Sequence, residues 1–375
     1  MTCEAQAGQQ LIAVCVGTRP EAIKLAPLIL ELRSGRQQVL VISTGQHREM
    51  LDQALEVFGI APNIDLSLMR AEQSLAGLTG LALPALDRVL SAARPAALIV
   101  QGDTTTAMCG ALSAFYQGIP VGHVEAGMRT GVPTSPFPEE VNRRLIAQLA
   151  SWHFCATATG RENLLREGVS EECAHVTGNT VIDAALSIAR LQHGLPRRPG
   201  SRREILVTLH RRESQGEVMR QLSAAIARLA ARPDVHILFP MHRSPAVRES
   251  VIPALGAEAN ITLCEPLGYG EMIARLAGAD LVLTDSGGLQ EEAPAFNVPV
   301  LVLREQTERP EGVAAGCSVL CGTDPKRILA TANRLLDDPA AYSRMAAAPN
   351  PYGDGRAAAR IAAILMRELA AASRD

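Results

Sequence analysis

Short apolar runs alternate with amphipathic stretches along almost the whole chain. In the first half, LIAVCVG (11–17), QVLVISTG (38–45), AALIVQG (96–102), IPVGHVEAG (119–127) and WHFCATA (152–158) have strand length and lead into turn or polar residues. Between them, APLILELRSG (26–35), EMLDQALEVFGI (49–60), LTGLALPALDRVLSAA (78–93) and TTTAMCGALSAFYQG (104–118) carry apolar residues at helical spacing. Strands alternating with helices of this length predict parallel βαβ units in a doubly wound sheet.

The alternation resumes near Ile182. Strands are expected at 205–210, 235–242, 260–266, 279–287 and 298–304, with helices at 216–233, 268–278, 286–297 and 325–338. The polar link LQHGLPRRPGSRRE (191–204) marks the junction, and GDGRAAARIAAILMRELAAA (353–372) has helix periodicity. The expected division is a first αβ domain over 1–181, a second over 182–351, and a terminal helix in 352–375.

A length of 375 residues accommodates two full cores. The formal net charge is −3 without a sustained basic tract, which argues against a nucleic-acid surface. The opening MTCEAQAGQQ has no basic n-region, so the first apolar run reads as a strand rather than a signal peptide. No continuous apolar run approaches membrane-spanning length, so no membrane partner and a cytoplasmic address are expected. The 8 cysteines form no CxxC pair, and Cys15, Cys109, Cys155 and Cys264 lie in apolar contexts. They read as reduced, buried side chains, with no metal and no thiol nucleophile expected. GxGxxG is absent, so no dinucleotide fingerprint is present and no cofactor is expected.

Polar motifs stand where strands end, the position at which α/β proteins place ligands. VGTRPEAIK puts Arg19, Glu21 and Lys24 at the mouth of the first helix, a setting for an anion or for plain capping. VQGDTTT offers Asp103 as a ligand or as a helix cap. HVEAG places His123 and Glu125 on one side of a strand, within apolar surroundings that make a purely structural Glu125 uncomfortable. In PFPEEVNRR, at most one of Glu139 and Glu140 is expected to face a site, with Asn142, Arg143 and Arg144 supporting that helix. LHRRES brings His210, Arg211, Arg212 and Glu213 after a strand. His210 there is either a proton-transfer group or a helix-entry histidine paired to a carboxylate. In DSGGLQEEAP, Ser286 and the Gly287–Gly288 amides suit a diphosphate, and Glu291 or Glu292 a ribose; the same glycines also suit an empty turn. TERPEG adds Arg309 and Glu311.

Taken in order and spacing, GTRPEAIKLAP, QGDTTT, VGHVEAGMRTG, SPFPEEVNRR, TGNTVIDA, LHRRES, TDSGGLQEEAP, TERPEG and NPYGDGRAAARI resemble the non-hydrolysing UDP-N-acetylglucosamine 2-epimerases over nearly the whole chain. The resemblance implies an α/β fold of two Rossmann-like domains in a glycosyltransferase-B-like arrangement, with the active site between them and the last helix returning to the first domain. It also implies a homodimer and a UDP-sugar substrate. The implied chemistry is inversion at C2 of the sugar, by loss of the C2 proton and UDP to give 2-acetamidoglucal, followed by re-addition. By the same resemblance, Asp103, Glu125, Glu139 and His210 take acid/base or positioning roles. Arg19, Lys24 and Arg309 become anion contacts, Ser286 and Gly287 the diphosphate turn, Glu292 the ribose contact, and Arg212 and Glu213 supports.

Three departures stand out. Leu209 precedes His210 where the family commonly has glycine, and Met272 falls where an aromatic often lies beside uracil. Gln46, Glu49, Arg211 and His242 match parts of a region where many bacterial relatives bind substrate as an activator. Glu72 replaces an arginine there, which reverses the charge offered to a diphosphate. Competing readings are a hydrolysing 2-epimerase that releases UDP and N-acetylmannosamine, a retaining glycosyltransferase, and a non-catalytic sugar-nucleotide-binding regulator.

Overall fold

The computed structural model describes residues 9–45, 48–70, 73–191, 202–211, 214 and 216–372. It divides into two compact units, Met1–Ala184 with Gly353–Asp375, and Ala185–Tyr352.

The strands of the first unit are β1 (Leu11–Val16), β2 (Gln38–Ser43), β3 (Ile64–Asp65), β4 (Ala97–Gln101), β5 (Val121–Ala126), β6 (Trp152–Cys155) and β7 (Ala174–Val176). Its helices are α1 (Arg19–Ser34), α2 (Arg48–Glu56), α3 (Leu75–Ala93), α4 (Thr105–Tyr116), α5 (Glu139–Leu149), α6 (Ala158–Arg166) and α7 (Thr180–Leu191), within which the division falls. The sheet order is β3-β2-β1-β4-β5-β6-β7, and each recorded strand pair is parallel. Strands buried on both faces read as continuous apolar runs, as LIAVCV and ALIVQ do. Order reverses between β1 and β4, so the loops after these strands flank a switch point where open α/β sheets bind ligands.

The second unit repeats the plan. Its strands are β8 (Arg203–Thr208), β9 (Val235–Pro240), β10 (Ile261–Cys264), β11 (Leu281–Thr284), β12 (Val300–Val302) and β13 (Ser318–Leu320). Its helices are α8 (Glu217–Ala230), α9 (Pro245–Leu255), α10 (Tyr269–Gly278), α11 (Gly287–Glu292), α12 (Pro310–Ala315), α13 (Pro325–Asp337) and α14 (Pro339–Ala346). The parallel order β10-β9-β8-β11-β12-β13 puts its switch point between β8 and β11. Phe239, Leu222, Val251 and Leu335 belong to its core. The terminal helix α15 (Ala357–Ala372) belongs to the first unit and packs on α1. Two parallel sheets of Rossmann-like build are the ingredients of a glycosyltransferase-B-like fold.

Two expectations need correction. The first helix begins at Arg19, seven residues before the apolar stretch at 26–35, because Thr18 and Glu21 form a capping box and Pro20 suits the first turn. Among the described residues, α3 has the length and apolarity of a membrane span, although the sequence contains no continuous run of that kind. Its Leu78, Ala82, Leu86 and Leu90 are buried, and the last three belong to the core of the first sheet.

Gly127, directly after β5, has φ +86°, and a Cβ there would stand 2.0 Å from the Gly160 carbonyl oxygen. Both atoms belong to backbone, so neither can rotate aside. Gly127→Ala should lower the unfolding free energy by about 3 kcal/mol or more. A denaturant midpoint equal to that of the native chain would contradict this packing.

Candidate active site

The first unit gathers its polar groups at the ends of β1, β4 and β5. Glu125 lies at a register shift between Val124 and Ala126 and has φ +63°, an uncommon backbone state for a residue with a side chain. The bend aims its carboxylate at three donors. Lys24 Nζ, one turn into α1, reaches Oε1 at 2.6 Å and Oε2 at 2.7 Å. Gln101 Nε2, at the end of β4, donates to Oε2, and Asn179 Nδ2 donates to Oε1 at 3.0 Å. Charge-assisted bonds of this number fix a carboxylate's orientation.

Asp103 and Arg143 form a close ion pair, with Asn142 donating to the Asp103 backbone oxygen at 2.9 Å. Burial pushes the Asp103 carboxyl above the usual aspartate range, and Glu125 adds to this while Arg143 opposes it. Asp103 is not the helix cap: Thr104 accepts the Ala107 amide and is the N-cap of α4. Thr104 also donates to Glu21, whose carboxylate accepts the Gly17 and Thr18 amides at 3.0 and 2.6 Å. Glu21 thereby ties together the two loops at the first switch point. Its burial pushes its carboxyl up, against the pull of those bonds. Arg19 is half-buried at the first position of α1.

Glu139 and Glu140 separate as adjacent helical residues must. Glu140 is fully buried and accepts from the Thr130 amide and from Arg144. Burial acts against its charge, yet these donors hold its carboxyl below the usual range. Glu139 is half-buried, and its buried Oε2 has no hydrogen-bond partner among the described residues.

In the second unit, Asp285 after β11 is the anchor. Its buried carboxylate accepts the His210 and Arg211 amides, the Ser214 hydroxyl at 3.1 Å, and His210 Nδ1 at 3.0 Å. Burial opposes its charge, but His210 and these amides hold the carboxyl below its ordinary value. Of the two readings of His210, the carboxylate pairing is therefore observed. It does not exclude proton transfer, because a carboxylate on Nδ1 leaves Nε2 outside that pairing. His242 stacks on His210 with ring centroids 6.1 Å apart, and Arg211 is half-buried beside it in sequence.

Ser286 is the N-cap residue of α11, and its amide donates to Thr284 Oγ1 at 2.9 Å. The Arg309 guanidinium lies so close to Gly287 that a Cβ there would stand 2.7 Å from its central carbon. Arg309 also donates from Nε to Glu291 at 2.8 Å, so Glu291 serves as its partner. Glu292 accepts from the Tyr269 hydroxyl at 3.1 Å, and Met272 is half-buried on the same helix as Tyr269. Leu209 is buried in the core of the second unit. Lys24, expected as an anion contact, is engaged with Glu125 on both oxygens.

Gln46, Glu72, Arg212 and Glu213 lie outside the described residues; Glu49 is on α2, with nothing described of its side chain. Among the described residues there is no cluster of metal-binding side chains. The site also contains groups that sequence reasoning did not single out. Gln101, Asn179 and Asp285 are all buried polar residues at the ends of apolar strands or the start of a helix. That placement, within QGDTTT, TGNTVIDA and TDSGG, was the available signal.

Two parallel sheets with charged loops at both switch points define a class of nucleotide-handling α/β proteins. The family description "UDP-N-acetylglucosamine 2-epimerase" matches residues 31–366. The Bacillus subtilis UDP-N-acetylglucosamine 2-epimerase is 47% identical over 349 residues, covering 92% of this chain and 92% of its own. The Escherichia coli K12 protein of the same name is 47% identical over 358 residues, covering 92% and 95%. A crystal structure of the Neisseria meningitidis UDP-GlcNAc 2-epimerase bound to UDP-GlcNAc matches with a TM-score of 0.85 at 41% identity, covering 95% of this chain and 100% of that one. The chain belongs to the UDP-N-acetylglucosamine 2-epimerase family.

His123, beside Glu125 on β5, is buried, with Nε2 2.7 Å from the Gly102 carbonyl oxygen. His153, its register partner on β6, is buried too. Burial lowers His123 to about 3 and His153 to about 4. Both are therefore neutral in the folded chain at pH values where the unfolded chain binds their protons. The stability they contribute is complete above the ordinary value of 6.5 and is lost as pH falls from there toward 4. Each should contribute a slope that approaches about 1.4 kcal/mol per pH unit near pH 5 and is about half that at pH 6.5. Denaturant unfolding between pH 7.5 and 5 should be less pH-dependent in His123→Gln than in the native chain; an equal slope would contradict the assignment.

Proposed function

We propose that the protein reversibly interconverts UDP-N-acetylglucosamine and UDP-N-acetylmannosamine without net hydrolysis. The observation that carries this reading is the likeness, over almost the full chain, to an epimerase structure that holds UDP-GlcNAc. In the proposed course, a base removes the C2 proton and the C1–O bond to UDP breaks. The electron pair left at C2 closes the C1=C2 double bond of 2-acetamidoglucal. An oxygen of UDP then adds back to C1 as a proton is delivered to the opposite face of C2.

Asp103, Glu125, Glu139 and His210 are the proposed acid/base and positioning groups. Reprotonation on the opposite face calls for proton-exchanging groups on both sides of the sugar, and this set includes three carboxyl groups and one imidazole. Arg19, Arg309, Ser286 and Gly287 are proposed to meet the diphosphate, Glu292 the ribose and Met272 the uracil. Lys24 joins this set through Glu125, whose charge it compensates. No cofactor is required, because the leaving group returns as the nucleophile. A homodimer in the cytoplasm, with no nucleic acid or membrane partner, completes the reading. Arg211 and His242, with Gln46, Glu49 and Glu72, are proposed to belong to an activator region weakened by the Glu72 charge.

Chelator-treated protein, incubated with UDP-N-acetylglucosamine in deuterated water and followed by NMR, should give the manno epimer deuterated at C2. Free N-acetylmannosamine with stoichiometric UDP in its place would assign the hydrolysing course instead. Glu125→Gln and His210→Asn should each lower turnover by about 100-fold or more in folded protein. Near-normal turnover in either variant would remove that residue from the chemical step.

A further inference from the structure

Asn179 holds two positions at once. It directly precedes α7, and its side-chain Oδ1 accepts the Val181 amide at 3.1 Å, which makes it the N-cap of that helix. Its other amide atom, Nδ2, donates to Glu125 Oε1 at 3.0 Å. The cap settles the orientation of the amide: with the oxygen engaged by an N–H, the NH2 group must be the end that faces the carboxylate. Asn179 is 2% exposed, so both bonds are shielded from bulk water.

The turn that carries Asn179 is itself clasped by the distant end of the chain. The Asp183 carboxylate accepts the Ala357 and Ala358 amides at 3.2 and 2.9 Å, at the start of α15. Arg360 Nη1 donates to the Thr177 carbonyl oxygen at 3.2 Å. Residues 177–183 are thus fixed from both sides, a degree of bracing that one helix cap does not require.

We propose that Asn179 is a positioning residue for the reaction. Its NH2 group holds Glu125 Oε1 while Lys24 spans both oxygens and Gln101 holds Oε2, so the carboxylate has one orientation before substrate arrives. The proposal rests on the epimerase reading above and adds a residue that works through Glu125 rather than on the sugar.

Capping and positioning make opposite demands on one substitution. Aspartate and serine cap helices about as well as asparagine. Asn179→Asp keeps the acceptor for Val181 but replaces the donor by a second carboxylate beside Glu125. Asn179→Ser keeps a cap without adding charge and removes the donor. Turnover is measured as C2 deuterium incorporation together with UDP-sugar conversion, so a rate is obtained whichever product forms.

In both variants kcat should fall by about 10- to 100-fold, as expected for losing a hydrogen bond to a charged group. KM should stay within about threefold, because the contact is not made to substrate. The thermal midpoint of Asn179→Ser should stay within about 3 °C, because the cap is retained without added charge, whereas the second buried carboxylate of Asn179→Asp lowers it further. Either variant with kcat within about twofold of native overturns the proposal. So does a loss of kcat that only accompanies a matching loss of thermal midpoint in both variants, which would make Asn179 a cap and nothing more. A native chain that fails to turn over UDP-N-acetylglucosamine would overturn the epimerase reading itself and this inference with it. An active native chain with an equally active Asn179→Asp variant overturns the inference alone.

Discussion

The first unit is organised around one carboxylate. Glu125 sits on a left-handed bend at the end of β5, and a bent, half-buried anion is tolerated only where surrounding groups repay its cost. Those groups come from three separate elements: Lys24 on α1, Gln101 on β4 and Asn179 before α7. Each requires its own element to be set in place. The Thr18–Glu21 capping box starts α1 early enough to bring Lys24 to Glu125, and Glu21 joins that start to the cap of α4. The turn that holds Asn179 is anchored by the amides that open α15. Sequence-distant segments therefore converge on a single side chain.

The second unit uses a related device with a different partner. Asp285, fully buried after β11, accepts the backbone amides that follow β8 and the ring of His210. It crosses the switch point, so hydrogen bonds from His210, Arg211 and Ser214 converge on the residue directly before Ser286. Arg309 then lies against Gly287, held by Glu291 and Glu308. In both units a carboxylate, half-buried in the first and fully buried in the second, accepts backbone or side-chain donors from neighbouring segments.

Much of this was legible in the chain because parallel strands buried on both faces leave continuous apolar runs, and polar residues at their ends are conspicuous. Glu125 stood out on that basis, and Asp103 and His210 did so with a cap or a carboxylate pairing as the alternative, whereas Glu139 was preferred to Glu140 only through the family resemblance. Their division of labour did not stand out. That Thr104 rather than Asp103 caps α4 depends on backbone geometry that a Asp-Thr-Thr string leaves open. That Glu140 is wholly buried while Glu139 keeps a partnerless oxygen depends on helix phase against neighbours far along the chain. The pairing of Lys24 with Glu125, 101 residues apart, and of Asp183 with the start of α15, 174 and 175 apart, are tertiary contacts with no local signature. Short strands such as β3 and β7 also escaped, since two or three residues carry too little periodicity to register.

The central claim is that the groups around Glu125 matter through that carboxylate. It is tested most directly by placing Gln101→Leu in the native chain and in the Glu125→Gln chain and measuring kcat for C2 epimerisation in all four proteins. The account predicts a marked fall in the native background and little further loss once Glu125 is already neutralised, a coupling of about 0.5–3 kcal/mol. Equal losses in both backgrounds would mean that Gln101 acts independently of Glu125, and would contradict the account.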